Sequence, residues 1–167
     1  MSRYVRLALI SLAAAGVATF CAAVLAGWIV MALSLSDDGG VVHAVLGAFL
    51  LLPVIAMFSI GATLGVAPAV TPAAALIGAG LWRLGSSHAY ARMRSVWAAA
   101  GALFALGVFM TMRAGILPDE TGLLNDPDGG RLALSFVLAG AGAALVFRAG
   151  FKFLALFFLP DEAEQDP

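Results

Sequence analysis

The chain has 167 residues, of which 62% are hydrophobic and 11% are charged, and its mean hydropathy is +1.01. A soluble domain is typically about 45–50% apolar and about 25% charged, so this chain has too few charges to cover a soluble surface. The composition indicates an integral membrane protein whose first partner is the lipid bilayer. Its net charge of −1 gives no electrostatic footprint for nucleic-acid binding.

The N-terminal apolar run predicts a first transmembrane helix over residues 4–34. Arg3 and Arg6 precede this run, which continues to Leu35. The apolar core of a cleavable signal peptide is only about 7–15 residues long, so we expect an uncleaved helix. The sequence SDDGG at 36–40 contains turn residues and two acids and predicts the end of the helix.

Two further spans are predicted in the second half of the chain, over about 89–113 and 131–150. A polar stretch rich in Pro, Gly, Asp and Asn separates them and indicates a loop. The segment FKFLALFFL (151–159) either extends the last helix or lies in the membrane interface. We expect one bundle over 1–160 and a polar cytoplasmic tail over 161–167.

The basic residues predict the orientation, because cytoplasmic loops are enriched in Lys and Arg. Seven of the nine basic residues fall on one side if the spans alternate, and this set is Arg3, Arg6, Arg83, Arg92, Arg94, Arg148 and Lys152. The expected arrangement therefore has both termini in the cytoplasm of a bacterial inner membrane. An even number of crossings follows, so residues 41–84 should cross an odd number of times.

The segment 41–84 is about twice as long as one crossing requires, at about 1.5 Å per residue and about 30 Å of hydrocarbon. Residues 41–65 are predicted to form the second span, kinked at Pro53 because a proline ring removes a backbone hydrogen bond.

A bend is predicted next, at Pro68 and Pro72, because the residue before a proline avoids helical dihedrals. Thr71 would then cap a short interfacial or re-entrant helix over 72–84. Two alternatives stay open at this stage, namely a fifth span through this segment and a continuous kinked helix that leaves the bilayer.

No chemistry of catalysis or metal binding is predicted. Charged residues are absent from the predicted centres of the spans, where an ionisable group would indicate a functional site. Cys21 has no second cysteine, and His43 and His88 are predicted on opposite sides of the membrane. We expect no enzymatic activity and no cofactor.

The loop WRLGSSHAYARMR (82–94) combines Trp82 with Arg83, Arg92 and Arg94, and Lys152 follows the fourth span. Aromatic and basic residues are typical of membrane interfaces, so these residues are predicted to anchor the bundle. A direct role in binding anionic lipid is the alternative.

Small residues recur at four-residue spacing in every predicted span, which lets membrane helices approach closely. The predicted packing positions are Ala14, Ala18 and Ala22 in the first span, Gly61 and Gly65 in the second, Gly101 in the third and Gly140 in the fourth. These stripes suit packing within the chain, and they also suit a homo-oligomer or another membrane protein as partner.

The order of these features resembles a group of small four-span bacterial inner-membrane proteins with no assigned activity. The matching pieces are LLPVIAMFSIGATLGVAP, WRLG, AAAGALFALG and LAGAGAALVFRAG, within about residues 45–150. The resemblance implies an all-α membrane fold with four transmembrane helices, and it implies no activity.

Three functional hypotheses follow from the sequence. The first is a non-enzymatic accessory or scaffold subunit that acts by helix–helix association. The second is a transporter or channel component for a small solute, with the proline-broken segment 66–72 lining the path. The third is a lipid-interacting protein.

Overall fold

The computed structural model of the chain describes residues 3–88, 93–116 and 129–158. Every element in these ranges is an α-helix: α1 is Arg3–Leu50, α2 is Leu52–Ser87, α3 is Arg94–Arg113 and α4 is Gly129–Phe158. Four helical stretches are long and apolar enough to cross a membrane, and they are Tyr4–Ser36, Thr63–Gly85, Arg94–Arg113 and Gly129–Phe158. These helices confirm the predicted all-α class and the four long apolar helices. The bounds predicted for the second span, 41–65, are wrong, because its long apolar helix is Thr63–Gly85. The preceding residues form two shorter helices, Gly40–Leu50 and Leu52–Gly61, which together are apolar enough for one broken fifth span or a re-entrant segment.

The first helix, α1, has a kink at Gly40. Residues 36–39 remain helical, whereas Gly40 has φ 77° and ψ 165°. Only glycine adopts these dihedrals readily, because a Cβ atom would clash with the backbone. The turn predicted over SDDGG therefore lies at its last residue.

A second break lies at Leu51. The helices Gly40–Leu50 and Leu52–Gly61 meet there at an angle of 61°. Pro53 follows immediately and has no amide hydrogen to donate, and its ring crowds the carbonyl of Phe49. The kink predicted at Pro53 is confirmed.

The bend predicted at Pro68 and Pro72 is wrong. Both prolines lie inside α2, which continues through them as one helix to Ser87, so 72–84 is not a separate short helix. Both rings lie on the exposed face of α2. Membrane helices tolerate proline because the surrounding protein can satisfy the freed carbonyls, and an exposed ring displaces no packed neighbour.

The other predicted boundaries shift as well. The helix α3 begins at Arg94 rather than near residue 89, and α4 extends to Phe158 instead of ending near residue 150. Most of FKFLALFFL thus belongs to α4. The acidic part of the polar loop and the tail over 161–167 lie outside the described residues.

Contacts with the first long stretch of α1, Tyr4–Ser36, show how the end of α1 and then α2 cross the bundle. A Cβ atom at Gly47 would lie 2.9 Å from the side chain of Leu35, and one at Gly27 would lie 2.9 Å from Ile55. At the far end of α2, the Arg83 guanidinium carbon lies 5.9 Å from the centre of the Tyr4 ring. Residues 47–83 therefore run once along Tyr4–Ser36 in the opposite direction, from its far end back to its start.

Aromatic contacts show which ends of α3 and α4 lie beside the end of α2. Trp82 of α2 contacts Phe151 of α4, with ring centres 4.6 Å apart, and Trp97 of α3 stacks on Phe147 of α4 at 6.0 Å. We call this end of the bundle the basic end, because it carries Arg6, Arg83, Arg94, Arg148 and Lys152. The opposite end, with Gly40, Arg113 and Gly129, is the loop end.

Candidate functional site: an apolar cleft

The four helices do not pack evenly around one another. The helix α1 packs along both α2 and α4, and α3 packs along α4, whereas α2 makes only slight contact with α3 and α4. This arrangement leaves a cavity of about 640 Å³ between the helices. We call it the cleft, and its open side is the gap between α2 and α3.

The close pairing of α3 with α4 explains why the gap lies on the other side of α3. Gly101 and Gly140 face each other at this crossing, and a Cβ atom on either one would collide with the backbone carbonyl of the other. Two facing glycines let the helix backbones touch, as small-residue motifs do in membranes. Because α3 is held against α4 in this way, it stands away from α2.

The lining of the cleft is almost wholly apolar. Small residues form the wall on α1, where Ala18, Ala22 and Ala26 recur every four positions, and larger side chains line α2 and α3, such as Phe58, Val70 and Phe104. Within the described residues, no Asp, Glu, Lys, Arg or His lines the cleft. An apolar cavity of a few hundred Å³ is typical of a ligand pocket.

Four hydroxyl groups reach the cleft, from Thr19, Ser34, Ser59 and Thr63. Each donates its hydrogen to a carbonyl oxygen four residues earlier in its own helix, at 2.6–3.0 Å. Serine and threonine in helices commonly bond in this way. The hydrogens of these hydroxyls are therefore donated within their own helices. The cleft suits an apolar occupant rather than an ion or a sugar.

The cleft is closed at the basic end by large side chains. Trp97 and Phe147 line it there and are 2% and 4% exposed. Phe147 also lies against Gly78, where a Cβ atom would collide with the ring, so α2 touches α4 at this point. Phe151 stacks behind Phe147, with ring centres 5.9 Å apart, and Trp82 contacts Phe151. We call these four rings, Trp82, Trp97, Phe147 and Phe151, the aromatic cluster.

The predicted small-residue positions fall into three environments. Ala14 and Ala18 are buried in the core with Phe147 and Phe151. Ala22 and Gly65 line the cleft, as do the paired Gly101 and Gly140. Gly61 is exposed, and a Cβ atom there would meet nothing within 4 Å.

The predicted broken segment forms one wall of the cleft as unbroken helix. Thr71 does not cap a helix; its hydroxyl lies 3.5 Å from that of Thr19 and joins α2 to α1. Val66 and Val70 line the cleft beside it.

The predicted interface residues lie at the basic end, except Arg92, which falls outside the described residues. Trp82 is half-buried in the aromatic cluster, while Arg83, Arg94 and Lys152 are exposed. Their positions are those of interface anchors around a closed end of the bundle.

Sequence reasoning missed the cleft and its closing pair, Trp97 and Phe147. A signal is present on α2, where Ser59, Thr63, Val66, Val70 and Ala74 recur at intervals of three or four and all line the cleft. The spacing identifies a shared helix face, but it does not reveal that the face lacks a partner helix.

No group of three or more His, Cys, Asp or Glu side chains forms a candidate metal site in the ranges 3–88, 93–116 and 129–158. Comparison with protein-family models, with curated proteins and with solved structures finds no match to this chain.

Proposed function

We propose that this protein is a non-enzymatic, multi-pass protein of the bacterial inner membrane that binds the hydrocarbon chain of a lipid in its cleft. The observation that carries the proposal is an apolar cavity that opens sideways between two helices of membrane-spanning length. In a bilayer such an opening faces acyl chains, so a lipid reaches the cavity without crossing water.

The length of the cleft suits a hydrocarbon chain that lies along the helices. The cleft extends along α3 from Trp97 to Met112, which is about 22 Å at helical rise. The hydrocarbon core of a bilayer is about 30 Å thick, so the cleft runs through most of its depth, at the level of the acyl chains.

The orientation proposed from the sequence places the basic end in the cytoplasm, with both termini. Arg6, Arg83, Arg94, Arg148 and Lys152 support it, since five cations lie at this end. In intact spheroplasts of a Cys21→Ala background, a membrane-impermeant maleimide should label Ile116→Cys but should reach Lys152→Cys only after permeabilisation. The reverse pattern would contradict this orientation.

A second candidate function is helix–helix association as an accessory subunit, and Gly61 favours it. This glycine lies on the exposed face of α2 with open space around it, so another membrane helix can approach closely there. The other stripes lend it less support, because Ala14, Gly101 and Gly140 contact residues of the same chain. Loss of a co-purifying subunit, or of a dimer, in Gly61→Leu would support this role, and unchanged assembly would count against it.

The test of lipid binding is retention of a lipid by the purified protein. Native mass spectrometry in a mild detergent should show one tightly bound lipid per chain for the wild type. Ala100→Phe fills the cleft and should lose that lipid, because Ala100 lines it. Ala99→Phe adds the same ring on the exposed face of α3 and should retain the lipid.

Val70→Phe provides a second cleft-filling variant on another helix, in case Ala100→Phe disturbs folding. The thermal unfolding temperature of each variant shows whether it is folded. A wild-type protein without bound lipid, or equal retention in Ala99→Phe and both cleft-filling variants, would refute the proposal.

A further inference from the structure

We infer that the bound lipid lies in the cleft with the end of its chain against the aromatic cluster and its phosphate headgroup at the loop end. The lipid is therefore taken from the leaflet on the loop side, which is the outer leaflet in the proposed orientation. This inference rests on the proposed lipid binding and adds the leaflet and the direction of the ligand.

Aromatic side chains close the cleft at the basic end. The ring of Phe147 lies between Trp97 and Phe151, with ring centres 6.0 and 5.9 Å away, and it fills the space above Gly78. This contact ties α2 to α4 and blocks the cleft between them. A bulky, hydrated headgroup has no opening there, whereas a slender chain end can contact the aromatic rings.

The wall of the cleft is exposed toward the loop end. Phe58 of α2 lines the cleft and is still 72% exposed, and Val54, one turn closer to the loop end, is 47% exposed. The helix then changes direction by 61° at Leu51. The gap between α2 and α3 is thus accessible from the side in this half of the bundle.

Two arginines lie at the open end of the cleft, at the loop end of the bundle. Met112 and Leu132 are the lining residues of α3 and α4 nearest the loop end, and Arg113 and Arg131 are adjacent to them in the chain. Both arginines are exposed. A chain about 22 Å long that ends at the aromatic cluster brings its headgroup to the level of these two cations, and guanidinium groups bind phosphate well.

The test uses Trp97 as a reporter at the closed end. The variant Trp28→Phe, Trp82→Phe retains Trp97 and is reconstituted in nanodiscs. Phosphatidylcholine in the nanodiscs carries a quenching nitroxide either near the headgroup or near the end of the chain. Trp97 lies one helical turn inside Arg94, near the membrane surface at the basic end. In ordinary bilayer lipids of the adjacent leaflet, the headgroup-proximal nitroxide lies nearer to the depth of Trp97 than the terminal nitroxide does, so it should quench Trp97 more.

A lipid bound in the cleft in the inferred direction reverses this expectation, because its chain comes from the far leaflet and brings the terminal nitroxide to Trp97. Terminal labels should quench Trp97 more strongly than headgroup-proximal labels. This excess should disappear in Ala100→Phe and persist in Ala99→Phe.

Two different failures are distinguishable. If the wild type retains a lipid but the headgroup-proximal label quenches Trp97 more, the direction inferred here is wrong and lipid binding stands. If Ala100→Phe and Ala99→Phe show equal quenching by the terminal label, the signal arises outside the cleft and the inference is also refuted. If the wild type retains no lipid, the proposed function fails together with the inference.

Discussion

Replacing Gly101 with alanine should weaken the α3–α4 contact. The added Cβ atom would lie 2.5 Å from the Cβ atom of Ala144, and ordinary contact begins at about 3.4 Å. The helices must therefore separate by about 0.9 Å, and a gap of about 0.5–1 Å removes a quarter to a half of the dispersion energy of the facing atoms. Because the carbonyl of Gly140 also blocks the new atom, no side-chain rotation relieves the collision.

Overpacking of this kind costs about 1–3 kcal/mol, and the higher helix propensity of alanine offsets about 1 kcal/mol of that cost. We therefore expect Gly101→Ala to lower the free energy of unfolding by up to about 2 kcal/mol. Gly107→Ala is the matched control on the same helix, since a Cβ atom there meets nothing within 4 Å, and it should be neutral or stabilising by up to about 1 kcal/mol.

The assay is equilibrium unfolding in mixed micelles with increasing dodecyl sulfate, followed by far-UV circular dichroism. The account predicts that the two alanine variants change stability in opposite directions or differ by about 2 kcal/mol. A Gly101→Ala protein as stable as Gly107→Ala would show that α3 and α4 do not meet at this glycine.

Two further variants test the path of the chain in the same unfolding assay. Gly40→Ala should lower the free energy of unfolding by about 1–3 kcal/mol, because alanine resists a φ of 77°. Gly16→Ala is the control, since Gly16 lies within a helix with open space around it and alanine should not destabilise the protein there. Equal effects of the two substitutions would argue against the turn at Gly40. Thr71→Val should lower the free energy of unfolding by about 0.6 kcal/mol, the mean for polar contacts between membrane helices. In a double-mutant cycle with Thr19→Val, the coupling energy between the two positions should account for most of that loss. Additive effects of the two substitutions would show that the two hydroxyls do not interact.

The number and class of the helices could be predicted because they depend on local composition. Uncharged runs of sufficient length identify Tyr4–Ser36, Arg94–Arg113 and Gly129–Phe158 with modest shifts of their ends. The aromatic FKFLALFFL left two possibilities, and the structure extends α4 through most of it to Phe158.

The position of the break in the second quarter of the chain could not be predicted from proline content alone. Three prolines were present, but their effects differ: Pro53 follows a bend of 61°, whereas Pro68 and Pro72 lie in continuous helix. All three prolines are exposed, so packing around the ring does not distinguish them, and the difference is whether the chain turns at that point. Gly40, by contrast, takes dihedrals that the neighbouring helix-forming residues avoid.

The cleft depends on which helices fail to touch, and no local pattern encodes that. Gly101 and Gly140 face each other and let α3 pack closely against α4. Ala14 and Ala18 of α1 are buried against neighbouring helices in the same way. A sequence shows that each helix has a small-residue face. It does not show that α2 and α3 are left with few mutual contacts.

The most direct test of the central claim is what fills the cleft in a bilayer. Nitroxide labels at Val66→Cys and Val70→Cys, each in a Cys21→Ala background, report this through their collision rates with oxygen and with a water-soluble nickel chelate. A cleft occupied by hydrocarbon predicts high oxygen and low nickel accessibility at both positions. High nickel accessibility would instead indicate a water-filled path and favour the transport hypothesis, and low accessibility to both reagents would mean that α2 and α3 close the cleft.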